Sequence, residues 1–179
     1  MKSITKIELP SHKNDKVFKN IYITPSLLKI NFDGAVFKET EEAGLGVVVR
    51  DSHGQMLASL VEKIKLPSSS DEVEALAAVR AISLVMDLNL PSFIVEGDSE
   101  VVISALRSKE ESLSSFGHLI SSIKHYLVSC NCVSFFHIRR SGNSVAHFLA
   151  KHAKTIDGVS VWMEDVPPQV ADVLIADFG

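Results

Sequence analysis

Cysteine is nearly absent from this chain. It has two, Cys130 and Cys132, in 179 residues. No second pair completes a zinc site. Alternate residues of a strand share a face, so the two read as core thiols, which suits a reducing compartment. Long apolar runs are missing as well. The N-terminus carries no apolar stretch of the signal-peptide kind, and no segment approaches a membrane span. The expectation is a soluble intracellular protein, cytoplasmic or nuclear, with no membrane partner. A basic excess is missing too. There are 18 basic and 22 acidic residues, a net charge of −4. A protein that simply coats nucleic acid is usually basic overall. Internal repeats and low-complexity tracts are also lacking.

What is present is ordinary for a folded domain. Apolar residues make up 46% and charged residues 22%, which argues against global disorder. The length suits one domain with room for tails, and a monomer is the expectation. The bland net charge hides a pattern. Residues 1–29 carry six lysines against Glu8 and Asp15. Residues 137–154 carry Arg139, Arg140, Lys151 and Lys154 and no acid. Residues 157–179 carry five acids and no lysine or arginine. Such runs are commonly solvated faces.

Residues 1–26 show no clear period and read as a tail or linker, with a short extended piece at 17–23. The organised domain is expected over 27–156, followed by an acidic tail at 157–179. Strands are predicted over 28–36, 44–51 and 55–65. The short loops between them indicate an antiparallel meander. Ser69 followed by Glu72 has capping-box spacing and opens a helix to about Leu88, with Pro91 breaking the pattern. A strand over 92–98 runs directly into a helix over 99–106. A helix over 116–128, a strand over 132–138 and a helix over 144–154 follow, with a short helix suggested at 170–175. The order β-β-β-α-β-α-α-β-α predicts an α/β fold. Its mixed sheet has five strands, three antiparallel and then parallel ones, with helices on both faces.

Three acids stand in unusual settings. Asp33 interrupts a strand of Ile30, Phe32 and Val36, where an unpaired carboxylate is costly; the alternative is an Asp-Gly turn. Glu74 shares a helix face with Ala77, Ala78 and Ala81, small residues that allow close approach to a sheet. Its alternative is a solvated acid at a helix start. Asp98 ends a strand where a helix begins, and its alternative is an N-cap. Taken together, the three can converge on one point. Clustered carboxylates do not stay ionised without a cation. Mg²⁺, a hard ion preferring oxygen, suits them, and two such ions about 4 Å apart can clamp a phosphodiester in transfer.

Four segments carry a resemblance. They are Lys29-Ile-Asn-Phe-Asp-Gly-Ala35, Glu72-Val-Glu-Ala-Leu-Ala-Ala78, Val95-Glu-Gly-Asp-Ser99, and Arg140-Ser-Gly-Asn-Ser-Val-Ala-His-Phe-Leu-Ala-Lys151. In order and spacing, over about residues 27–154, the chain resembles type 1 ribonuclease H domains. The match is strongest with the plant branch related to the ribonuclease H part of non-LTR retrotransposon proteins. The resemblance implies a ribonuclease H-like fold and an endonuclease that hydrolyses the RNA strand of an RNA–DNA hybrid using two Mg²⁺ ions, or Mn²⁺. It places metal ligands at Asp33, Glu74 and Asp98 and the family's mobile histidine at His137. Substrate contacts fall on Gly34, Ser69, Arg140 and Asn143, with the Ser69 hydroxyl on a DNA-strand phosphate. At the fourth metal-ligand position the family usually has Asp, and here it is His147. Three readings stand open: a neutral imidazole ligand favouring softer ions such as Mn²⁺, a hydrogen-bonding helix residue, or the mark of a slow or inactive site. The competing functions are a catalytically inactive nucleic-acid-binding module and a 3′–5′ exonuclease of the same superfamily.

Overall fold

The computed structural model describes residues 27–90, 92–128, 130 and 132–171. The expected tail at 1–26, its extended piece at 17–23, and Pro91 lie outside these residues, as do most of the suggested helix at 170–175 and the end of the acidic tail. Residues 168–171 are helical.

The strands are β1 (Leu28–Phe37), β2 (Glu42–Arg50), β3 (Met56–Lys65), β4 (Ser92–Gly97), β5 (Cys132–His137) and β6 (Val159–Met163). The helices are α1 (Ser70–Asp87), α2 (Glu100–Arg107), α3 (Gly117–Leu127) and α4 (Ser144–His152). One sheet contains all six strands, in the order β5-β4-β1-β2-β3-β6. β1, β2, β3 and β6 pair antiparallel in turn. β4 and β5 add parallel on the other side of β1, through helical crossovers.

The sixth strand departs from the five-stranded expectation. It lies in the segment predicted as an acidic tail. The five acids mask an alternating Val159-Ser-Val-Trp-Met163 run, which pairs with the free edge of β3 and satisfies its backbone groups. Val166 and Val170, further along the same segment, are buried in the core.

Each face of the sheet has its own core. Leu28, Ile30 and Phe32 of β1 pack with Val73, Ala77, Ala78, Ala81 and Ile82 of α1 and with α2 and α3. Odd-numbered positions of β1 point the other way. Ala35 and Phe37 pack with Val145, Ala146, Leu149 and Ala150 of α4. β2 is buried on both faces, which explains its near-continuous apolar run.

Two glycines of β2 let α4 lie directly on the strand. A Cβ at Gly46 would stand 2.3 Å from both the Ala146 carbonyl oxygen and the Ala150 nitrogen. At Gly44 it would stand 2.0 Å from the Ala150 carbonyl oxygen. These are backbone atoms, which cannot swing aside. Gly46→Ala is therefore expected to lower stability by about 1–3 kcal/mol, the usual cost of overpacking. Urea unfolding of the two proteins measures it, and a loss under about 0.5 kcal/mol, the usual scale of a surface substitution, would show that α4 does not rest on this strand.

Candidate active site

Asp33 lies mid-strand, in register with Gly46 on β2, and β1 continues to Phe37. The Asp-Gly turn is thereby excluded. Its side chain points to the α4 face and the residue is 1% exposed. On the parallel side, Asn31 pairs with Glu96. Two residues beyond that pair come Asp33 and, just past the end of β4, Asp98, whose carboxylates lie close together. Asp98 does not cap α2. That cap is Ser99, whose hydroxyl oxygen accepts the Val102 N–H. Glu74 comes from the second turn of α1. Gly34 lets that turn approach, since a Cβ there would meet Val73 Cγ1 at 2.8 Å and the Glu74 nitrogen at 3.3 Å. The backbone of Gly34 also hydrogen-bonds the Glu74 carboxylate.

One ligand oxygen from each of Asp33, Glu74 and Asp98 lies within 4.8 Å of the others. Glu74 Oε2 is buried without a hydrogen-bond partner among the described residues. A buried, orphaned carboxylate oxygen beside two further carboxylates fits a hard divalent cation, which takes oxygen ligands. Without a cation the group holds protons. Burial, then the charges of Glu74 and Asp98, push Asp33 up to about 9. Burial, then Asp98, push Glu74 up to about 8.

His147, on α4, sets Nδ1 2.7 Å from Asp33 Oδ2. Burial and the positive charges of Arg140 and Lys151 hold the imidazole below its usual range. With Asp33 protonated and His147 neutral, the contact is a hydrogen bond between neutral groups and not an ion pair. Arg140 Nη2 lies 3.1 Å from Nδ1 and 3.3 Å from Nε2 of the same ring, and donates to whichever nitrogen lacks a proton. His147 thus hydrogen-bonds Asp33, and it does not belong to the mutually close set of the three carboxylates.

The other expected site residues divide. His137 is exposed at the end of β5, with Nε2 3.2 Å from the Asp98 carbonyl oxygen. Ser69 is the N-cap of α1; its Oγ accepts the Glu72 N–H at 3.2 Å. The Glu72 carboxylate accepts from the N–H and hydroxyl of Ser68, at 3.2 and 2.6 Å, one residue short of a full capping box. Asn143, expected to touch substrate, is 1% exposed. Its amide donates to the Phe32 carbonyl at 2.9 Å and to Asp98 Oδ1 at 3.3 Å. It is a positioning residue that ties the start of α4 to β1 and to Asp98.

Sequence reasoning missed a polar network on the same face. Asn31 Nδ2 donates to Glu96 Oε2 at 3.0 Å, and Arg50 Nη2 donates to Asn31 Oδ1 at 3.1 Å. Lys29 Nζ lies 3.6 Å from Glu96 Oε1. The signal was there: Lys29, Asn31 and Asp33 are polar at every second position of β1, a polar lane on one face.

Sheet order, crossovers and the acids in the middle of β1 and at the end of β4 define a ribonuclease H fold. Solved structures agree. Ribonuclease H1 from the archaeon Halobacterium salinarum superposes with a TM-score of 0.66 at 21% identity, covering 73% of this chain and 98% of that one. The N-terminal ribonuclease H domain of a Mycobacterium tuberculosis protein, solved as a fusion with maltose-binding protein, gives 0.65 at 18%, covering 73% and 94%. LC11 ribonuclease H1, isolated from compost by a metagenomic approach and solved in complex with an RNA/DNA hybrid, gives 0.61 at 26%, covering 70% and 95%. No curated protein sequence matches significantly. Residues 31–153 match the profile of the reverse transcriptase-like family, and the chain belongs to that family. No helix among the described residues is long and apolar enough to cross a membrane.

The raised carboxylates carry a stability prediction. Folded Asp33 and Glu74 bind protons more tightly than an unfolded carboxylate with a pKa of ~4. The stability they confer is full below that value and is lost as pH rises towards about 8 and about 9. Thermal melts in chelator should therefore fall in Tm across this window. Asp33→Asn should flatten the fall and exceed the wild type at its alkaline end. Parallel curves for the two proteins would contradict the assignment.

Proposed function

We propose that the protein hydrolyses the RNA strand of RNA–DNA hybrids, cutting internally, with divalent metal held by Asp33, Glu74 and Asp98. The observation that carries this reading is the convergence of three carboxylates from β1, α1 and the end of β4 within 4.8 Å, on a fold shared with ribonuclease H1 structures. Bound divalent metal would supply an activated water and offset the charge that builds on a phosphodiester in transfer. The rest falls to the chain. Asp98 is oriented from behind by Asn143. His137, exposed and joined to the Asp98 backbone, is placed to carry a proton between the site and solvent. Arg140 stands at the mouth of the group, where its charge reaches Asp33 and Glu74, and with Arg139 and Lys151 offers cations to the nucleic-acid backbone. Binding that rests on so few cations should weaken steeply with salt. Within the family we place the chain beside the plant ribonuclease H domains related to non-LTR retrotransposon proteins, on the Arg140–Lys151 motif.

A second reading keeps the fold as a hybrid-binding module without cleavage. His147 favours it, since a neutral imidazole stands against Asp33 where the family has a fourth acid.

A labelled hybrid separates the two. In Mg²⁺ or Mn²⁺ the purified protein should cut the RNA strand, whether or not its 3′ end is blocked, and leave duplex DNA intact. Asp33→Asn should slow cutting at least ~100-fold, as loss of a preorganised charge-stabilising group does. Hybrid bound but uncut in both metals would establish the second reading, and cutting undiminished in Asp33→Asn would remove Asp33 from the site.

A further inference from the structure

The sequence leads to an expectation of two metal ions. Among the described residues, the atoms that could hold one are the mutually close oxygens of Asp33, Glu74 and Asp98. A second ion sharing Asp33 would need further ligands beside that residue. The side chain there is His147, with Nδ1 2.7 Å from Asp33 Oδ2. That imidazole already carries a cation. Arg140 Nη2 stands 3.1 Å from the same nitrogen. A guanidinium stays charged at any pH the fold survives, and it cannot act as a ligand. A divalent ion drawn to His147 would meet that positive charge at a few ångströms, well inside the screening length of about 8 Å at physiological salt. Lys151, whose charge also acts on His147, adds to the opposition.

Charge counting points the same way. Three carboxylates and one guanidinium leave two negative charges, which a single divalent cation cancels. A second ion would leave the centre strongly positive. The usual fourth acid would relieve that excess, and here it is an imidazole.

We propose that this centre holds one divalent cation, on Asp33, Glu74 and Asp98, and that the Arg140 guanidinium, seated on His147, takes the place and charge of a second. The proposal rests on reading the centre as a metal-dependent phosphodiester hydrolase, and it deepens that reading by fixing the number of ions. Arg140 then serves as a fixed cation at the reacting phosphate, and His147 as the residue that positions it.

Mn²⁺ titration followed by electron paramagnetic resonance counts bound ions without any reference to cleavage. The wild type should bind one Mn²⁺ per chain and show no Mn–Mn coupling. The double variant Arg140→Gln/His147→Asp removes the guanidinium and restores an acid. It should bind two, with coupling, while keeping the wild-type circular dichroism. Arg140→Gln alone should add a weaker second site. Two coupled ions in the wild type would overturn the single-ion proposal and leave the hydrolase reading standing. No bound ion in the wild type would overturn that reading as well. One ion in every variant would overturn the role given to Arg140.

Discussion

Asp33 sits in the central region of the sheet, almost fully enclosed, with two more carboxylates against it. Removing an ionised carboxylate from water costs several kcal/mol even after the protein relaxes. Three of them in contact add mutual repulsion. The fold tolerates this arrangement by keeping protons on Asp33 and Glu74 when no cation is bound. The surrounding structure is arranged around that constraint. β1 carries its acid on a polar lane, Gly34 admits the turn of α1 that brings Glu74, and Asn143 holds Asp98 from inside the core. Each acid comes from a different element, so the cluster exists only when β1, β4 and α1 are in place together.

α4 links packing to chemistry. It lies against β2 because Gly44 and Gly46 present no side chain to its backbone. That close approach brings His147 to Asp33 and Arg140 to His147. A fourth corner built from an imidazole and a guanidinium has the opposite charge character to one built from an acid. The oxygen cluster therefore ends at three ligands, and beyond it stands a positive group suited to a phosphate.

Much of this was legible in the sequence, for identifiable reasons. Period and turn chemistry revealed the strands and helices from β1 to α4, because these have strong patterns and clear breaks. The three acids were ambiguous singly and informative jointly, since strand parity and helix spacing define which faces can meet. The strand β6 was hidden by the acidic composition of its flanks. Asn143 was misassigned to substrate because motif position says where a residue lies in the chain and not how deeply it is buried. The orientation of His147 was illegible for a related reason. It depends on how closely α4 docks, and that depends on Gly44 and Gly46, which read from sequence simply as part of a strand.

Metal binding by buried, protonated carboxylates must release protons, because the ligands bind as anions. Calorimetric titration with Mn²⁺ in buffers of different ionisation enthalpy measures that release directly. If Asp33, Glu74 and Asp98 form the metal centre, binding near neutral pH should expel protons and tighten as pH rises towards about 8 to 9. Binding that releases no protons and does not change with pH would place the metal elsewhere and contradict the account.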